Sequence, residues 1–402
     1  MAGLRACEQL RAAGWAGPLT VIGAEEHLPY NRPPLSKHIG PAPHCPGEWL
    51  QTIEFRRRGT LANVTWLLGT AVTHSDLTAR TLGLADGREL RYAGLVIATG
   101  LRPRRIPGDQ ASSVRHVLRT VDDAVALYSQ LRSGRHIVVV GAGFIGCEIA
   151  VTASSYGCRV TLIEPQPAPM YLALGAELGG AIGEFHRNNG IDIRSGVSVT
   201  AISQHRDGAI VSLSDGTDLV ADIILESVGS HPNTEWLDGN GLDLDNGVHC
   251  DEHLRVIGAD NAIAVGDVAR FPNPRFPGTA RRVEHWCIPN DSAKHGARAL
   301  LAALTGAAPP ESPFAPLPSF WSDQGGLRIQ GLGIPSLADY SEVVRGELSP
   351  RGLRDGVTVE YRSDAQLVAI VSVNMPPHRQ AAHRTALASA TNPLVLPTGV
   401  ST

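Results

Sequence analysis

The chain has 402 residues with a formal net charge of −4, 43% hydrophobic and 18% charged residues, a length that calls for two or three domains and a charge that gives no general case for nucleic acid or an anionic membrane. No run approaches the roughly 18 apolar residues of a membrane span and no signal-peptide pattern opens the chain, which makes the cytoplasm the expected compartment. The six cysteines (Cys7, Cys45, Cys147, Cys158, Cys250 and Cys287) form no CxxC pair and no metal-type cluster, so neither a redox dithiol nor a metal centre is expected.

Residues 1–25, "MAGLRACEQLRAAGWAGPLTVIGAE", read as a short helix, a loop and a strand. Further on, "YAGLVIATG" (92–100) reads as an apolar strand closing on glycine. Residues 135–164, "RHIVVVGAGFIGCEIAVTASSYGCRVTLIE", carry the strongest local signal: a β-branched run, GxGxxG, a helical stretch and a second strand ending in an acid. This is a dinucleotide-binding fingerprint in its proper context. Gly141 suits the tight turn, Gly143 lets backbone approach a pyrophosphate, and Gly146 permits close packing of helix on strand. Phe144 and Ile145 fill the positions between the last two glycines, at a helix N-terminus that favours anions. Glu164 lies 18 residues after Gly146, where a carboxylate accepts from an adenosine 2′-OH and repels a 2′-phosphate.

"ADIILESVG" (221–229) closes the second unit on Gly229 as "YAGLVIATG" closes the first on Thr99 and Gly100. "NAIAVGDVARF" (261–271) reads as a further strand, followed by a helix near 290–304. The Pro-rich "GAAPPESPFAPLP" (306–318) marks a boundary, beyond which the pattern changes to short strands.

The opening can be laid on the fingerprint. Gly3 to Gly14 spans eleven residues, as does Gly146 to Gly157, and each is followed by an apolar strand. Gly3 then corresponds to Gly146, the third glycine, and the counterparts of the first strand and first two glycines lie ahead of Met1. The chain is expected to start inside a phosphate-binding loop, with Met1 an internal methionine and flavin held weakly. The expected fold is α/β: two nested Rossmann-like dinucleotide-binding domains plus a C-terminal α+β sheet domain, the first βαβ unit lacking its first strand. The boundaries are 1–112 with 233–314 for the first unit, 113–232 for the second, 315–390 for the sheet domain and 391–402 for a tail.

"PYNRPPLSK" (29–37), "LVIATGLRPRRIPG" (95–108), "GAGFIGCE" (141–148), "AVGDVA" (264–269), "VEHW" (283–286) and "FWSDQ" (320–324) resemble, in order, the motifs of FAD-dependent NADH:ferredoxin reductases of the putidaredoxin and rhodocoxin reductase type. The likeness covers nearly the whole chain, and "PPLSK" with "FWSDQ" is specific to this branch. It implies FAD in the first unit: Gly3, Ala24 and Glu25 towards its phosphate and adenosine end, Arg32 and Lys37 towards its pyrophosphate and ring, and Val72 as a backbone contact to adenine. Thr99, Gly100 and Arg119 would lie near the flavin, Gly266 and Asp267 at the ribityl chain, and Trp286 beside the ring. Lys37 and Glu148 would face each other across the nicotinamide pocket, with Trp321 covering the isoalloxazine; these three are the candidate catalytic residues. Each has a plainer alternative, a solvated charge for Lys37 or Arg32, a turn aspartate for Asp267 and core packing for the tryptophans.

Gly141, Gly143, Phe144, Ile145, Gly146, Glu164 and Gly229 would hold the nicotinamide cofactor, and Glu164 favours NADH over NADPH. Ala168 and Leu172 stand where the family usually has arginines, which predicts a weak hold on NADH. The implied partner is a small iron–sulfur ferredoxin serving a cytochrome P450 or another oxygenase. A basic rim of Arg102, Arg104, Arg105, Arg281 and Arg282 could steer it. The alternatives are an NADH oxidase, a rubredoxin reductase, or a flavin-free interaction or NADH-sensing module.

Overall fold

The computed structural model describes residues 1–37, 45–108, 112–276 and 278–391, so the expected tail lies outside it except for Thr391. The fold is mixed α/β. In the second unit the strands are ordered Asp192–Ser195, Arg159–Glu164, His136–Val140, Ile223–Glu226, Arg115–His116, with every pairing parallel. A parallel sheet needs both faces covered, and the run His136–Val140 is buried throughout. Ile137 and Val139 pack with Ala150 and Ile182 of the helices Phe144–Ser155 and Tyr171–Asn188. Val138 and Val140 face Ala209, Val211 and Leu213 of an antiparallel meander, Val199–His205, Gly208–Leu213 and Asp218–Ala221.

The first unit repeats this plan with one difference. Strand Leu19–Ile22 pairs in parallel with Val64–Leu67, and Leu95–Ile97 pairs in parallel with Ala262–Ala264, but the two pairs belong to separate two-stranded sheets. Laid on the second unit, they flank the place taken there by His136–Val140. The effect shows in burial: Val21 and Ile22 are half-buried, whereas Arg159–Glu164 is buried beyond its first residue. Helix Ala2–Ala12 holds the unit together by packing on helix Ile288–Thr305 around Ala2, Ile263, Val265 and Leu300. A second meander, Val72–Asp76, Thr81–Leu84 and Glu89–Arg91, completes the copy.

The C-terminal part is a five-stranded antiparallel sheet ordered Ser319–Gln324, Leu327–Gly333, Gln366–Val373, Val357–Ser363, Tyr340–Arg345, with helix Pro377–Ala390 against it. Its inner face joins the core of the second unit: Leu327, Ile329, Val357 and Val371 share one cluster with Leu174, Leu178 and Ile182, and with Tyr30, Leu35 and Trp49 of the first unit. Three stretches distant in sequence therefore meet along one seam. The ribbon joining the two nucleotide units, Leu101–Pro103 paired antiparallel with Ser230–Pro232, crosses beside it.

Candidate functional site

In the second unit the three fingerprint glycines do three separate jobs. Gly141 has φ +97°, and a Cβ there would overlap the carbonyl oxygen of Ser227. A Cβ on Gly146 would overlap the carbonyl oxygen of Gly141. Gly143 is different: a Cβ there would meet nothing within 4 Å, so its side of the loop is open beside the N-terminus of helix Phe144–Ser155. That is the surface an anion would approach. Glu164 ends its strand 8% exposed, accepting from Ala142 N at 2.8 Å and Gln166 N at 2.9 Å. Its carboxylate therefore shapes the glycine loop as well as presenting charge beside it. Ile145 and Leu172 are exposed, at 43% and 73%, while Ala168 is buried. Gly229, with φ +101°, turns the returning strand, and its carbonyl accepts from Arg104 N at 2.9 Å.

One turn beyond Gly143 the same helix carries Glu148, only 5% exposed. Lys37 Nζ lies 2.9 Å from Glu148 Oε2. Ser36 donates to the same oxygen, and Ser322, from the first C-terminal strand, donates to Oε1 at 2.6 Å. Lys37 is held by the one-turn helix Pro33–Ser36, whose prolines fix its start and whose Pro33 carbonyl accepts from Lys37 Nζ at 3.2 Å. A buried carboxylate thus receives three donors from two other parts of the chain, which meets the cost of taking it out of water.

A second polar cluster lies in the first unit. Glu25 receives Tyr30 Oη and Arg32, and Arg32 also donates to the Arg119 carbonyl at 2.6 Å. Arg119 Nη2 reaches Asp267 at 3.4 Å and packs against Gly100, where a Cβ would sit 3.5 Å from it. Burial pushes the Asp267 carboxyl up from its ordinary range, against the pull of Arg119. Helix Ala2–Ala12 begins here: Ala2 Cβ would be 2.9 Å from a Cβ on Gly266, and burial, then Arg32, push the Met1 amino group down to about 5. Gly3 faces Ala98 at an ordinary 3.8 Å, without the tight approach seen at Gly146. Ala24 is exposed, Val72 is half-buried at the start of its strand, and Thr99 Oγ1 donates to the Asn233 carbonyl at 2.7 Å, tying the two linkers.

The "FWSDQ" strand alternates. Ser322 and Gln324 turn to the buried side, while Trp321 is 37% exposed and makes no ring contact among the described residues. The ring that packs towards the two nucleotide units is Phe320, 5.2 Å from Phe144 and 5.2 Å from His285. Trp286 is half-buried. The five arginines do not form one free patch. Arg102 pairs with Glu235, Arg104 Nε donates to the Ser230 carbonyl at 3.0 Å, and Arg105 lies 3.5 Å from Glu226. Arg282 pairs with Glu284 at 2.8 Å and Arg281 has a buried Nη1 with no hydrogen-bond partner among the described residues. Sequence reasoning singled out neither Ser36, Ser322, Gln324 nor Tyr30, although each sits inside a motif it quoted, nor His186, which lies outside them all. Strand alternation in "FWSDQ" was the available signal for Ser322 and Gln324.

Residues 1–288 match the pyridine nucleotide-disulphide oxidoreductase family and residues 319–394 the reductase C-terminal family. The anthranilate 1,2-dioxygenase system ferredoxin–NAD(+) reductase component of Burkholderia cepacia is 35% identical over 96% of this chain and 92% of its own. Rhodocoxin reductase of Rhodococcus erythropolis is 34% identical over 95% of this chain and 86% of its own. Among solved structures, the covalent putidaredoxin reductase–putidaredoxin complex superposes with a TM-score of 0.84 at 30% identity, covering 97% of this chain and 91% of that one.

His285, against Phe320, has its imidazole pushed by burial down to about 4. Its unfolded value is near 6.5, so between those values the unfolded chain binds a proton that the folded chain refuses, and stability falls as the pH drops. His285→Gln is therefore expected to flatten the loss of melting temperature between pH 6.5 and 5 relative to the parent. Parallel slopes in a thermal-shift series would show that His285 is charged in the folded protein.

Proposed function

The chain belongs to the pyridine nucleotide-disulphide oxidoreductase family, and on that footing we propose that it is an FAD-dependent reductase that takes electrons from NADH and passes them singly to a small iron–sulfur ferredoxin. The ferredoxin would in turn serve a cytochrome P450 or another oxygenase, as the dioxygenase-system relatives suggest. The observation that carries this reading is the Lys37–Glu148 pair at 2.9 Å, which joins the first unit to the helix behind the second unit's glycine loop. Two nucleotide sites whose side chains touch at that point can bring their ligands to one place.

The residues fit both cofactors. The open face at Gly143 and the helix N-terminus behind it suit the NADH pyrophosphate, with Glu164 on the ribose side. In the first unit Arg32 and Arg119 offer cationic charge to the FAD pyrophosphate, while Glu25 and Asp267 offer acceptors to its hydroxyls. FAD, when bound, would supply the chemistry that no side chain here offers, accepting a hydride and giving up its two electrons one at a time while the proton leaves to solvent. The chain's own work is placement. Glu148 keeps the Lys37 ammonium at the junction, Phe144 and Phe320 pack on each other beside it at 5.2 Å, and Ser36 and Ser322 add one donor to each carboxylate oxygen.

NADH-driven reduction of a panel of ferredoxins, with cytochrome c as reporter, tests the assignment. Turnover that depends on added ferredoxin is expected; equal turnover without it would make the protein an oxidase, and a chain that takes up no FAD would fail the reading altogether. Glu164→Arg should lower the ratio of kcat/KM for NADH over NADPH by about tenfold or more, as one lost charged hydrogen bond implies. An unchanged ratio in steady-state kinetics would remove Glu164 from the ribose site.

A further inference from the structure

Beyond the direct partners of Glu148, the buried hydrogen bonds continue away from the junction. Gln324 Nε2 lies 2.9 Å from Ser322 Oγ, and Gln324 Oε1 lies 2.8 Å from His186 Nε2. The whole path is dry: Ser322 is 0% exposed, Gln324 1% and His186 1%. His186 stands on helix Tyr171–Asn188 of the second unit, and its Nδ1 is buried with no hydrogen-bond partner among the described residues.

The direction of this chain follows from proton counting. Ser322 has one hydroxyl proton, and it lies 2.6 Å from a carboxylate that can only accept. Ser322 Oγ can therefore only accept from Gln324, which turns the Gln324 amide so that its nitrogen faces Ser322 and its oxygen faces His186. His186 must then carry its proton on Nε2. A second proton on Nδ1 would be buried without an acceptor, so the ring is neutral, in keeping with burial pushing its basicity down. Along the path each donor points towards Glu148, and the second Gln324 amide proton is taken by Met170 Sδ at 3.4 Å.

We propose that Ser322, Gln324 and His186 are positioning residues, a one-way relay of donors that orients the Glu148 carboxylate and so holds the Lys37 ammonium in register. The inference rests on the reductase reading for its effect on turnover, but not for its hydrogen-bond polarity. It gives the C-terminal sheet a part in the NADH half of the reaction, since two of the three relay residues come from that sheet.

Two measurements test it. In the holoprotein with ¹⁵N-labelled histidine, the His186 resonances, assigned by their loss in His186→Gln, should report a neutral ring protonated on Nε2 at pH 7. An Nδ1–H ring or an imidazolium overturns the relay whatever the protein's activity. Second, NADH-driven reduction of ferricyanide isolates the NADH side. Ser322→Ala and the similarly sized Gln324→Glu are each expected to lower kcat/KM for NADH about tenfold. Neither should add to the loss already present in a Glu148→Gln background, because the relay acts only through that carboxylate. Fully additive losses would show general damage instead. Thermal unfolding is followed alongside, and a variant that does not fold is replaced by Ser322→Thr, whose retained hydroxyl should restore the parent rate. Absent NADH-dependent ferredoxin reduction together with an Nε2–H ring would sink the reductase reading while leaving the relay's polarity standing.

Discussion

A carboxylate that is 5% exposed constrains the rest of this molecule. An ionised Glu148 without partners would cost several kcal/mol, so the chain must deliver donors to it, and helix Phe144–Ser155 cannot supply them from its own backbone. They come from Ser36 and Lys37 on one side and Ser322 on the other. The polar contact can form only if residues nearly 300 positions apart in sequence meet, and the shared apolar cluster of Leu35, Ile182 and Ile329 makes that meeting favourable in its own right. Hydrophobic burial brings the three parts together, and the carboxylate fixes their register.

The two nucleotide units differ in how firmly they are closed. In the second, Arg115 and Glu226 form a pair 2% and 0% exposed, and Glu226 also receives Ile106 N at 2.6 Å, so the entry strand is bound to the sheet by charge as well as by its ladder. In the first, the corresponding charges stay partly wet: Arg32 and Glu25 are 25% and 28% exposed, Arg119 and Asp267 30% and 18%. Pairs of that exposure gain little from each other and can exchange partners. Arg32 and Glu25 can therefore separate at smaller cost than Arg115 and Glu226, whose charges have no water to fall back on.

What could be read from the sequence was local. The fingerprint glycines, their separate roles and the acid that ends the second strand depend on neighbours within thirty residues, and the internal repeat compares two such stretches. Lys37 and Glu148 were named through resemblance, since nothing in their spacing brings residues 111 positions apart together. Ser322, Gln324 and His186 stayed unseen for the same reason: a buried serine or glutamine is ordinary until its partner is known. Trp321 shows the opposite difficulty. Motif likeness implies a place over a ring, whereas alternation along strand Ser319–Gln324 tells only that Phe320 shares the side of Ser322 and Gln324 and that Trp321 lies on the other, 37% exposed.

The five arginines of the expected basic rim differ in what they are already doing. Arg102 and Arg282 are each committed to a carboxylate, Arg105 approaches the buried Glu226, and Arg104 is spent on a carbonyl. A guanidinium with a carboxylate of its own contributes almost no net field beyond a Debye length of about 8–10 Å, which applies to Arg102 and Arg282, whereas Arg104 on a carbonyl, Arg105 sharing Glu226 with Arg115, and Arg281 keep positive charge at the surface. Trp321, 37% exposed on the edge strand of the C-terminal sheet, is the sequence neighbour of Ser322, so one strand carries both an exposed aromatic ring and a donor to the buried Glu148 carboxylate.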